Sequence, residues 1–350
     1  MRKFGKESAA PAEKGADRDR SGNGWLRSHW CVLALAVIVV VAFLLRFVMA
    51  YGVSADGNYA LSGGSSAQYH LHVIESILAG SWSMTDASVN YPVGGSLYIP
   101  PLMDFLAAGV ASIFQGSMGT TEAASFALAV LNPIFGALLC IPVYMIGKEL
   151  FDKTIGVVAA LVLAFMALPI STSVFSSGNE YALAAFLVAF AVYFLIRMVK
   201  AADAETPSMK SILVNAFVAG IFLALAALAW NGFRSIVVLL VVAMVIQIVV
   251  DRFRGREFTK VLAGYIVAIL VGTLIPAAYY VPAGLWDAVY SGSLLIAVVA
   301  VVLSLVFLAV RSKPWIVTVP ALVVVFIIIA AILAVASPDL FTDFIYGNSI

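Results

Sequence analysis

Few side chains in this sequence are able to do chemistry: 19 Asp and Glu and three His among 350 residues. Glu180 stands at one end of an apolar stretch, where an acid beside hydrocarbon is costly unless it is paired or liganded. It either belongs to a catalytic or metal site or turns out to water. Asn179, one residue earlier, is either a site residue or the N-cap of the helix that follows. His70 and His72 are two apart in a helical pattern, which sets them on different faces and argues against a joint metal site. Asp56 precedes Gly57-Asn58 and reads as a turn-former. Asp104 follows Pro100-Pro101 and calls for a structural partner. Arg234, near Trp230, either meets a lipid phosphate or snorkels to the membrane surface. Ser66 has no base at a defined spacing, which rules out a serine-nucleophile mechanism.

The elements that must position these residues are membrane helices. With 63% hydrophobic and only 11% charged residues, a soluble globular domain is excluded. Nine stretches, near 30–50, 124–147, 155–173, 181–199, 211–230, 234–251, 259–280, 292–310 and 315–336, approach the roughly 20 apolar residues that a spanning helix needs. The first is too long for a cleavable signal core and reads as an anchor. One threading puts all but two of the 20 Lys and Arg on a single side, in the N-terminal tail through Arg27 and in alternate loops. Basic short loops stay cytoplasmic, so the N-terminus is expected inside and the C-terminus outside. The exceptions are Arg46, expected to pair with an acid of the first external loop, and Arg234. The opposite loops hold Asp56, Glu75, Asp86, Asp104, Glu122, Glu180, Asp287, Asp339 and Asp343. An external face with acids and almost no bases suits a divalent cation or a cationic ligand. Net charge of +1 says nothing about nucleic acid, but the sequence has no basic patch carrying interleaved aromatics, and no nucleic-acid partner is expected.

Residues 51–123 form a first external loop far longer than a hairpin needs, and such loops are usually functional. Within it, 70–78 reads as a short amphipathic helix at the interface. The stretch 102–115 is a packed or re-entrant helix, because a span there would invert every later loop and mix the charges. The tail 1–24 has a disordered composition. The chain stops at Ile350, about 13 residues into a new external loop, the pattern expected of a truncated product.

Four segments in order resemble the catalytic subunit of oligosaccharyltransferase, the enzyme of asparagine-linked glycosylation in its archaeal and eukaryotic forms. Ser66-Ala67-Gln68-Tyr69-His70 occupies the place of the family's Asp-Pro-Trp/Tyr-Tyr/Phe-His/Asn. Tyr91-Pro92-Val93-Gly94 and Pro100-Pro101-Leu102-Met103-Asp104 are similar to Tyr-Pro-x-Gly and Pro-Pro-Leu-x-Asp. Ser176-Ser177-Gly178-Asn179-Glu180 stands where the family has Asp-x-Glu or Asp-x-His, and Ala229-Trp230-Asn231-Gly232-Phe233 resembles Trp-Gly-Gly-Tyr.

The resemblance implies an all-α polytopic membrane fold and transfer of a glycan from a dolichyl or polyprenyl phosphate or diphosphate to Asn of an acceptor polypeptide. It implies a divalent cation, Mn²⁺ or Mg²⁺, and an active face outside the cell membrane. Carried onto this chain, it marks Glu180, Ser66 and Asn179 as catalytic positions and Glu180, His70 and Asp56 as metal positions. Arg234, Trp230 and Tyr91 become the lipid-phosphate and glycan positions. Two departures matter: Ser66 replaces the first-loop Asp, and Gly178 replaces the leading Asp of Asp-x-Glu. Either neighbours such as Asp56, Glu75 or His70 rebuild the site, or fewer ligands suffice, or the protein binds lipid-linked glycan without transferring it. Residues 1–350, without the family's acceptor-recognising domain, are expected to be inactive alone. Another polytopic glycosyltransferase using a lipid-phosphate sugar is the main rival. A transporter is disfavoured, since no repeat is visible and the ionisable residues sit at helix ends.

Overall fold

The computed structural model describes residues 21–48, 61–88, 92–96, 99–282 and 291–314, with isolated positions between 316 and 335. The elements are helical throughout except for one two-stranded ribbon. In order they are α1 (Ser21–Val48), α2 (Gly64–Leu78), β1 (Thr85–Asp86), β2 (Gly95–Ser96), α3 (Leu102–Met118), α4 (Thr120–Leu138), α5 (Cys140–Leu150) and α6 (Lys153–Phe165). There follow α7 (Ala167–Thr172), α8 (Tyr181–Ala202), α9 (Met209–Ala229), α10 (Phe233–Phe253), α11 (Thr259–Tyr280) and α12 (Ser291–Ala309). β1 and β2 pair antiparallel, Thr85 opposite Ser96 and Asp86 opposite Gly95.

Among the described residues, seven helical segments are long and apolar enough to cross a membrane: His29–Phe47, Thr120–Leu150, Tyr181–Ala202, Met209–Ala229, Phe233–Phe253, Thr259–Tyr280 and Gly292–Ala309. Two of the nine expected stretches differ. The stretch 155–173 is broken at Met166, whose ψ of 131° leaves a 13-residue α6 and a six-residue α7. Pro169 sits in the first turn of α7, where its missing N–H costs nothing. Most of 315–336 lies outside the described residues. Helix α1 begins at Ser21, inside the stretch assigned to the tail. The span Thr120–Leu150 also changes character at Leu139, because Pro142 cannot donate the bond back to Leu138. At 17 residues, α3 is shorter than these spans, and it packs in the first loop between α2 and α4.

Close helix contacts are made at glycines, as expected where lipid removes the hydrophobic drive between helices. A Cβ on Gly147 of α5 would lie 2.8 Å from the Cα of Gly156 on α6, and one on Gly220 of α9 would lie 2.6 Å from Val271 on α11. One end of the bundle gathers bases. There Lys200 pairs with Glu149 at 3.1 Å, Arg256 with Asp203 at 2.9 Å, and Arg252 reaches the Val310 carbonyl at 3.1 Å. The long loop and the 173–180 turn meet at the other end.

Candidate functional site

The site is built on the turn between α7 and α8, which is held by α1, by α4 and by the segment before α2. The Arg46 carbonyl at the end of α1 accepts from Phe175 N at 3.1 Å, and the Ala129 carbonyl of α4 accepts from Ser176 N at 3.2 Å. Asn132 of α4 donates its amide to Ser177 Oγ. Ser62, just before α2, donates its backbone N–H to the Ser176 carbonyl at 2.8 Å. Ser176 is buried at φ 68°, a conformation that a non-glycine residue keeps only when its surroundings over-determine it. Arg46 is itself fully buried; Nε donates to Ser173 Oγ at 2.7 Å and an Nη donates to the Ala42 carbonyl at 2.9 Å. None of the ion pairs among the described residues involves it. The acid expected to pair with it lies in a loop whose residues 49–60 are outside the described residues.

Against this turn α2 lays its buried face, Ala67, His70, Val73 and Ile74, a helical repeat of three to four. Docking is tight. Gly178 has φ 56°, and a Cβ on it would lie 2.8 Å from Ala67 Cβ. A Cβ on Gly63 would lie 1.9 Å from the Ser177 carbonyl oxygen.

This docking brings three titratable groups into one chain. His70 Nδ1 lies 2.7 Å from Asp104 Oδ1, and His70 Nε2 lies 3.2 Å from Glu180 Oε2. The side chains of His70 and Asp104 are 0% and 1% exposed and that of Glu180 is 9%, so Glu180 is the open end of the chain. Burial alone would lower the His70 pKa. The hydrogen bonds and charges of Asp104 and Glu180 outweigh it and raise the ring to about 9. Burial also pushes the Asp104 carboxyl up, against the pull of His70. Both directions keep a proton inside the cluster. His72, on another face of α2, instead meets Asp86 Oδ2 at 2.5 Å. Hydrogen bonds from Ser88, then from His72, hold the Asp86 carboxyl down at about 2.

Ser66 lies half-buried in the first turn of α2. Asn179 accepts from Tyr181 N at 3.1 Å and donates to the Thr172 carbonyl at 3.2 Å, so its side chain is spent on the start of α8 and on the turn. Trp230 ends α9 with its indole over Gly232, and Arg234 opens α10. Because α9 runs antiparallel to α8, both residues lie at the Glu180 end of the bundle. Asp56 and Tyr91 are outside the described residues. Sequence reasoning assigned Asp104 a structural partner but not the link through His70 to Glu180, which spans 110 positions. The Pro-Pro-Leu-x-Asp segment was the available signal.

The described residues do not fit a divalent cation. Mg²⁺ or Mn²⁺ takes about six hard oxygen ligands. Here one expected carboxylate is a serine, the other a glycine sealed by Ala67, and both nitrogens of His70 face carboxylates. Among the described residues no group of three or more His, Cys, Asp and Glu is arranged to hold a metal.

Comparison with known proteins agrees with this architecture. The family described as "Oligosaccharyl transferase STT3, N-terminal" matches residues 69–346. Dolichyl-phosphooligosaccharide-protein glycotransferase 3 of Archaeoglobus fulgidus is 25% identical over 151 residues, 42% of this chain and 17% of that protein. The STT3B subunit of dolichyl-diphosphooligosaccharide–protein glycosyltransferase from Oryza sativa subsp. japonica is 26% identical over 255 residues, 70% of this chain and 33% of that protein. In fold, the chain is similar to the Archaeoglobus fulgidus oligosaccharyltransferase in its apo form, with TM-score 0.76 at 21% identity over 93% of this chain and 40% of that one. An archaeal relative solved with an inhibitory peptide and a dolichol-phosphate gives TM-score 0.73 at 19% identity, over 89% of this chain and 37% of that one. A further structure of the Archaeoglobus fulgidus enzyme, at TM-score 0.69 and 19% identity over 86% of this chain and 39% of that one, is a complex with Zn and sulfate. The chain thus spans well under half the length of these relatives. With more than three quarters of its residues inside the family match, the chain belongs to the oligosaccharyl transferase STT3 family.

Proposed function

We propose that this protein is the membrane part of an oligosaccharyltransferase that moves glycan from a dolichyl or polyprenyl phosphate or diphosphate to the Asn side chain of an acceptor polypeptide. The observation that carries this reading is Glu180, the open end of a buried Asp104–His70–Glu180 chain at the acidic end of the bundle. The amide nitrogen of Asn attacks the anomeric carbon, the carbon–oxygen bond to phosphate breaks, and the amide proton passes to Glu180. His70 orients the Glu180 carboxylate, and Asp104 orients His70. Arg234 and Trp230, at the same end, face the lipid-phosphate and its first sugar. Ser66 lies in the first turn of α2 beside Ala67. Asn179 acts on the geometry of the turn. No step runs through Mn²⁺ or Mg²⁺, because the described residues do not supply their ligands.

The charge segregation supports nine spans with the N-terminus inside, the site outside the cell membrane and the C-terminus outside. A second reading, a relative that binds lipid-linked glycan without transferring it, is favoured by Ser66 and by the sealed position of Gly178. The test is glycosylation of an Asn-x-Ser/Thr peptide by membranes containing the full-length gene product and native lipid-linked donors. Transfer that falls about 100-fold or more in Glu180→Gln supports the first reading. No transfer with any native donor supports the second.

A further inference from the structure

We propose that His70 takes the place of a divalent cation at this site: its ring braces Glu180 against Asp104, and the protein binds no divalent metal there. Three observations converge. The ring lies between two carboxylate oxygens, 2.7 Å from one and 3.2 Å from the other. A ring that donates through both nitrogens carries a positive charge between two acids, which is the electrostatic task of a bound cation. It also has no lone pair left for a metal.

The second observation is the closure of the ligand position itself. Gly178 is more than a lost Asp, since its left-handed φ of 56° and its 2.8 Å approach to Ala67 leave no room for a side chain. Gly63 meets the Ser177 carbonyl just as tightly, so the first turn of α2 and the 176–178 turn are in backbone contact. Protein fills the space between the two loops from which the expected ligands come. Third, among the described residues the oxygens that remain are too few. Asp104 Oδ2 is buried with no hydrogen-bond partner among the described residues. One such oxygen suits a single hydrogen-bond donor, and a hard cation wants about six ligands.

The inference does not rest on transfer activity and is read without it. The purified full chain in lipid nanodiscs would be titrated with Mn²⁺, free metal being followed by its EPR signal. Alongside, ¹⁵N-histidine NMR would follow the His70 ring. The expected result is no saturable site tighter than about 1 mM, and His70 ring signals that Mn²⁺ does not broaden. One equivalent of Mn²⁺ bound more tightly than that, and lost in Glu180→Gln or Asp56→Asn, overturns the proposal. So does Mn²⁺ broadening of the His70 ring. In His70→Gln the two acids lose their internal counter-charge, and Mn²⁺ affinity should rise at least about tenfold; a folded variant without that gain also overturns it. The wild-type measurements need no variant, and they decide the question even where His70→Gln fails to fold.

Discussion

A histidine with both ring nitrogens on carboxylates holds its proton tightly, because a neutral ring would leave two acids facing each other. With the folded pKa raised from 6.5 to about 9, the stabilisation is fully present below pH 6.5 and is lost as pH rises through 9. The melting temperature in detergent should therefore fall between pH 6.5 and 9, and His70→Gln should flatten that dependence. A wild-type profile without the decline would show that the ring is not charged in the folded protein. At Gly178 the expectation is unusual, because restoring the family's residue should do harm. Gly178→Asp sets a side chain at φ 56° against Ala67 and should cost about 1–3 kcal/mol. Ala67→Gly in the same chain should recover part of the loss, as read by thermal unfolding. A neutral Gly178→Asp would mean that the turn and α2 separate easily.

Helices of this bundle approach through glycine, and the consequence depends on what each glycine faces. Gly220→Ala places a methyl 2.6 Å from Val271 and should cost about 1–3 kcal/mol by overpacking. Gly116→Ala in α3 meets nothing within 4 Å and should be neutral or stabilising by up to about 1 kcal/mol. Equal melting temperatures for the two variants would place α9 and α11 further apart than described here. At this scale much was legible in the sequence. The apolar stretches that became α1 and α8 to α12 were readable because a spanning helix needs only length and hydropathy. The break at Met166 was not, since hydropathy sums over a window while a single ψ angle divides it. Nor was the site's central link readable: His70 and Glu180 are 110 residues apart, and no periodicity pairs positions at that distance. The separation of His70 from His72 was readable, because two residues is not a helical repeat. Their partners, Asp104 with Glu180 and Asp86, differ accordingly.

For the whole molecule, orientation is the property with the widest reach. Cys31 and Cys140 are both buried, so a thiol added at the surface can be labelled against a quiet background. In intact cells a membrane-impermeant maleimide should label Ser81→Cys in the long loop, and Lys313→Cys only after permeabilisation. The reverse pattern would invert every assignment of inside and outside. The 13-residue α6 rises about 20 Å, roughly 10 Å less than the thickness of a bilayer's hydrocarbon core. α7 continues the path with apolar surface, Leu168 being 72% exposed, but in a new direction. On the nine-span threading proposed above, a helix this short crosses where the bilayer is locally thinned. On that proposal the membrane surface dips beside the turn that ends in Glu180. A phosphate riding at headgroup depth would reach the level of that carboxylate there without its lipid tail leaving the bilayer.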